Sequence, residues 1–98
     1  MMTDKNIFRM RVEDATEFME NRTLVTGNVT SGSVRTGDEL FLHGGLHTLA
    51  VRVSGVEAFA KSLDFAEAGD RVGMILDDIS VPDIPANAEL SSNAEDST

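Results

Sequence analysis

His43 and His47 are the two histidines of the chain, and they flank Gly44-Gly45-Leu46. On a helix this spacing would stack two metal ligands, but two intervening glycines argue for a hairpin. A zinc site would need a third ligand, and the nearest acids in sequence are Asp38 and Glu39. Exposed hairpin histidines without a metal are therefore expected. The adjacent carboxylates Glu13-Asp14 and Asp77-Asp78 invite acid–base chemistry. Neighbouring strand residues point to opposite faces, so neither pair forms a dyad, and solvated strand ends are the expectation. With no cysteine there is no thiol nucleophile, disulfide or thiolate metal site, and no serine sits in a G-x-S-x-G elbow. A G-x-x-x-x-G-K-[ST] loop is also absent, which removes the basis for GTP hydrolysis. The residues point away from an enzyme and call for no cofactor.

Charge narrows the partners. Eight Lys and Arg stand against seventeen Asp and Glu, a net charge of −9. From Asp77 onward there are six acids and no base. Such a surface repels phosphate backbones, so non-specific DNA binding and anionic membranes are disfavoured. The opening MMTDKNIFRMRVED has no apolar run between its charges and reads as neither a secretory signal nor a membrane span. A cytoplasmic protein is expected, and the lack of cysteine fits a reducing compartment.

The elements that must position any site are short strands. Phe8, Met10 and Val12 alternate with Arg9, Arg11 and Glu13, the period of a half-buried strand. Thr23 to Thr30 suits a pleated surface, and Gly27 inside it marks a bulge, a bend or a close backbone approach. Ser31-Gly32 and Thr36-Gly37-Asp38 read as two tight corners around the short extended piece Ser33-Val34-Arg35, before the strand ELFLH. Leu49, Val51 and Val53 alternate after the Gly44-Gly45 turn. Residues 58–68 read as an irregular connection with room for one turn of helix. Gly69-Asp70 then echoes Gly37-Asp38 and introduces Val72, Met74 and Leu76. Pro82 and Pro85 bracket a link, Ala88 to Ser91 supplies a last short strand, and residues 92–98 read as an acidic disordered tail. The pattern predicts an all-β sandwich or barrel.

Five motifs then coincide in order and spacing: Val12-Glu13-Asp14, Thr23-Leu24-Val25-Thr26-Gly27, Gly32-Ser33-Val34-Arg35-Thr36-Gly37-Asp38, Val53-Ser54-Gly55-Val56-Glu57 and Ala68-Gly69-Asp70-Arg71-Val72-Gly73. Together they resemble the second domain of elongation factor Tu and related translational GTPases, here as a stand-alone domain. The resemblance implies a closed six-stranded Greek-key barrel over residues 7–91, after an N-terminal extension at 1–6. In that family the domain helps hold the aminoacylated 3′ end of tRNA, the terminal adenine lying in an apolar pocket beside a glutamate. Carried over, the glutamate is Glu57 and the apolar walls fall near Phe18, Leu24 and Ile75. The family's arginine and asparagine positions hold Ala60 and Arg71, and its Gly-Arg-Gly turn is replaced by Glu20-Asn21-Arg22.

The resemblance therefore implies a groove of Phe18, Arg22, Leu24, Glu57, Arg71 and Ile75 without carrying over aminoacyl-tRNA binding itself. Without such a groove, Glu57 is an exposed strand-end acid. Two functions are expected in the alternative: recognition of an RNA end or ribosomal component, with Arg22 and Arg71 offsetting Glu57 if the fold brings them together; or docking in trans on a GTPase or other translation protein. Steep salt dependence would mark the first.

Overall fold

A computed structural model describes residues 7–94 of the chain, so the expected extension at 1–6 and the tail from 95 lie outside the described residues. Ten strands follow in order: β1 (Arg9–Arg11), β2 (Asp14–Met19), β3 (Arg22–Ser31), β4 (Ser33–Arg35), β5 (Glu39–His43), β6 (Leu49–Ala58), β7 (Lys61–Leu63), β8 (Phe65–Glu67), β9 (Arg71–Asp77) and β10 (Glu89–Ser91). A 3-10 turn, Val81–Asp83, lies between β9 and β10.

Six strands pair in the antiparallel order β1-β10-β5-β6-β9-β3, and β3 returns to pair with β1. The sheet is thus a closed six-stranded barrel, as the family resemblance implies, and closure leaves these strands no free edges. β2 extends β3 as a hairpin, β7 extends β6, and β4 pairs with β8 in a separate ribbon.

Alternation fills the barrel. On β3, Thr23, Val25, Gly27 and Val29 face inward while Leu24, Thr26 and Asn28 face out. Val72, Met74 and Leu76 of β9 meet them inside, with Phe8, Met10, Leu40, Leu42 and Leu90 completing the core. The buried Thr23 hydroxyl donates to the Ile79 carbonyl at 2.7 Å, so its burial leaves no polar atom unpaired.

The two Gly-Asp corners are physical copies. Gly37 and Gly69 sit at φ +100° and +98°, where an L side chain is strained. In each corner the aspartate accepts from the backbone three residues back: Asp38 Oδ2 from Arg35 N–H (2.8 Å) and Asp70 Oδ2 from Glu67 N–H (3.0 Å). Because β4 pairs antiparallel with β8, the two corners lie at opposite ends of this ribbon.

The structure departs from the sequence reading at five points. Residues 58–68 carry no helix: β6 turns directly into β7 through Phe59-Ala60, both at positive φ (54° and 63°), the pattern of a type I′ hairpin. β2 was not legible because it lies outside the barrel and is exposed along nearly its whole length, so no apolar period marks it. His43 is buried, not an exposed hairpin residue. Its Nε2–H donates to the Asn93 carbonyl (3.1 Å), which leaves Nδ1 to accept from the Thr48 hydroxyl (3.3 Å). Glu13 is not simply solvated at a strand end: it accepts from Arg71 and Asn28. Ser92 and Asn93, the first residues of the expected tail, are tied to the barrel; the Ser92 N–H donates to the Phe8 carbonyl at 3.1 Å.

Candidate functional site

The barrel's outer face across β6, β9 and β3 carries the candidate groove, and a bulge creates it. β6 enters with Val51 and Val53 inward, which by strict alternation would aim Glu57 into the core. Instead the pairing with β9 slips between Val53 and Gly55, opposite Leu76 and Ile75. Ser54 is the extra residue, and its hydroxyl approaches the Ile75 carbonyl at 3.4 Å. After the slip Val56 faces inward opposite Met74, and Glu57 faces outward opposite Gly73. A bulge commonly re-aims a side chain in this way beside a binding site.

Two rows of side chains cross the face. In one, Glu57, Gly73 and Thr26 stand side by side; in the next, Gly55, Ile75 and Leu24. The glycines make the depression. A Cβ on Gly73 would lie 3.1 Å from Leu24 Cδ1 and 3.4 Å from Glu57 Cγ, so both side chains lean over it. A Cβ on Gly55 would lie 3.1 Å from Ile75 Cδ1. The result is an apolar bed of Leu24 and Ile75 with a half-buried carboxylate at its edge. A cavity of about 330 Å³ opens on the Thr26–Gly73–Glu57 row and runs toward the β6–β7 hairpin, lined by Thr26, Glu57, Phe59, Ala60, Arg71 and Gly73, among others, while Leu24 and Ile75 of the next row do not line it.

No described residue supplies the Glu57 carboxylate with a hydrogen bond or ion pair. It is a vacant acceptor beside apolar surface, suited to an amino or hydroxyl donor of a ligand. Arg71 stands two residues before Gly73 on the same outward side of β9. Its Nη1 is 2.7 Å from Glu13 Oε1, and Asn28 Nδ2 donates to the other oxygen of Glu13 at 3.1 Å. Arg71 is thus a rim cation already held by an acid.

The fold does not bring Arg22 to Arg71. Arg22 pairs across from Asp77, six residues along β9 from Arg71, or about 20 Å at the strand rise. There its Nε lies 3.1 Å from Asp77 Oδ1, an oxygen otherwise buried without a partner. The two arginines therefore do not jointly offset Glu57. Phe18 is the bulged residue of β2, half-exposed at the Arg22 margin of the face rather than in the depression.

Thr26, Gly55, Gly73 and Phe59 belong to the face but were not singled out as site residues from the sequence. The parity break from Val51 and Val53 to Val56, at a glycine, signals the bulge. Phe59 gave no signal. Its ring is 96% exposed at the hairpin tip, and its left-handed backbone costs a bulky residue about 1 kcal/mol or more.

Among the described residues no group of three His, Cys, Asp or Glu could hold a metal ion, and no helix is long and apolar enough to cross a membrane.

Comparison with known proteins converges on one family. The family model for elongation factor Tu domain 2 matches residues 22–86, a span that includes every groove residue except Phe18. Two solved structures of translation elongation factor SelB from Methanococcus maripaludis, one in the apo form and one in complex with the GTP analogue GppNHp, share the fold at a TM-score of 0.80 and 32% identity. The match covers 89% of this chain but 19% of the SelB chain.

Proposed function

Because the chain belongs to the elongation factor Tu domain 2 family, we propose that it is a non-catalytic, cytoplasmic binding module that takes the single-stranded end of an RNA into the depression over Gly73. One observation carries this reading: an unpartnered carboxylate, Glu57, at the edge of the Leu24–Ile75 bed. Unstacked bases are recognised by apolar contact with the ring and hydrogen bonds to its edge. A carboxylate accepts from an exocyclic amino group, so a terminal base that carries one fits both features.

Affinity then comes from the base more than from phosphate. Arg22 is paired with Asp77 and Arg71 with Glu13, so the face offers few uncommitted cations. These pairings revise the steep salt dependence expected above for RNA recognition to a shallow one, in contrast to a surface that tracks a backbone.

The test is titration of a short labelled single-stranded RNA ending in adenosine, alongside one ending in purine riboside, which lacks the amino group. Glu57→Ala should weaken the adenosine strand about 10-fold or more, the worth of a hydrogen bond to a charged group, and leave the purine strand unchanged. Equal losses for both strands, or none, would remove Glu57 from recognition.

A second reading, docking in trans on a GTPase or another translation protein, has its own support. At one end of the barrel Met19, Leu46 and Leu49 are exposed, Leu46 by 98%, with Pro82 among them. Exposed apolar groups of this kind mark protein contacts. A partner captured from cytosol after nuclease treatment, with no RNA binding by the pure protein, would favour it.

A further inference from the structure

Phe59 combines three properties that rarely meet in one residue. Its ring is almost wholly exposed, its backbone is in the left-handed region, and it lines the depression beside Glu57. The hairpin gains nothing from it. A two-residue turn with positive φ at both positions favours Asn or Gly at the first, and a ring 96% in water contributes almost no burial. Strain without a structural return points toward a ligand.

We infer that Phe59 is a stacking platform for the penultimate base of the RNA strand whose terminal base lies over Gly73. This rests on the reading of the groove given above. Phe59 follows Glu57 by two residues, about 7 Å along the chain, which places the ring one step beyond the terminal-base position. An aromatic face binds any base, whereas Glu57 selects by donor chemistry, so the two residues divide affinity from selectivity. Stacking also suits an acidic protein, since it draws on no cation.

Two measurements on the whole chain test this. The first needs no ligand: Phe59→Asn should raise the melting temperature by a few degrees, because Asn tolerates the left-handed backbone and no packing is lost. A fall in melting temperature would make Phe59 a structural residue and overturn the inference. The second uses a short single-stranded RNA ending in adenosine with 2-aminopurine at the penultimate position. Wild-type protein should quench the 2-aminopurine; Phe59→Asn should abolish the quench and weaken binding about 5- to 100-fold, the range for loss of one stacked base. Phe59→Trp should restore both.

The outcomes separate the two claims. If the wild type binds, Glu57→Ala impairs it and Phe59→Asn does not, the groove stands and the platform falls. If the wild type binds no single-stranded RNA, both fall. A protein partner whose binding depends on Phe59 would then assign the ring to docking.

Discussion

Gly27→Ala tests the closure of the barrel at its most sensitive point. Gly27 lies within β3 in an ordinary extended conformation, so an alanine there meets no torsional penalty. What it meets is β1. The added Cβ would overlap the Arg11 carbonyl oxygen and lie 3.3 Å from both the Arg11 carbonyl carbon and Met10 Cγ. The main obstacle is backbone, which no rotamer change can move, so β1 and β3 must separate. β1 has three residues and holds the barrel between β3 and β10. Overpacking a rigid site costs about 1–3 kcal/mol, and this geometry falls at the upper end. For a domain of this size about 3 kcal/mol lowers the melting temperature by roughly 12–24 °C. Thermal and urea unfolding followed by circular dichroism would read it directly. Gly55→Ala is the internal control, because its Cβ meets the flexible end of Ile75 at 3.1 Å and should cost under about 1 kcal/mol. Equal stability of the two variants would mean that β1 does not pack on β3 at Gly27, and the closed barrel would be wrong.

Two further substitutions follow from the same geometry. Gly73→Ala places a methyl between Leu24 and Glu57; both are flexible, so the melting temperature should move by only a few degrees while affinity for an adenosine-ended strand falls several-fold, as equilibrium titration would show, and unchanged affinity would move the ligand elsewhere. Thr23→Val keeps the buried shape but removes the hydrogen bond to the Ile79 carbonyl, which should cost about 1–2 kcal/mol in urea unfolding; a neutral result would mean that the link after β9 relaxes or admits water.

The strands were legible because their inward residues repeat with period 2 and their corners carry glycine, a pattern that fits a sandwich as well as a barrel; closure into six strands rested on the family resemblance. Phe8 and Met10, Val72 and Met74, and the paired Gly-Asp corners all behave as their spacing implies. Strands outside the barrel lacked that signal: β2 has no buried face to impose alternation. The β6–β7 hairpin was missed for a different reason. Its turn is formed by Phe59-Ala60, residues that ordinarily avoid positive φ, so local chemistry argued against the conformation the chain adopts. In the candidate groove, Glu57, Leu24 and Ile75 share one face. The grouping of Arg22 with Arg71 failed because it depended on register. Both residues border β9 pairing, but at opposite ends of the strand, a distance that no local pattern encodes.

The bulge at Ser54 links the fold to the candidate function. A regular β6 would direct Glu57 inward among Val53, Met74 and Leu76, where an unpaired carboxylate could not be kept charged. The same slip that turns Glu57 outward returns Val56 to the core, so the apolar interior remains filled on both sides of the irregularity. It also brings Gly55 opposite Ile75 and Glu57 opposite Gly73, which sets a carboxylate and a branched aliphatic chain against two positions without side chains. The depression is therefore not an addition to the barrel surface. One extra residue in β6 sets the orientation of the acceptor and the depth of the bed together, and neither can change without disturbing the core beneath.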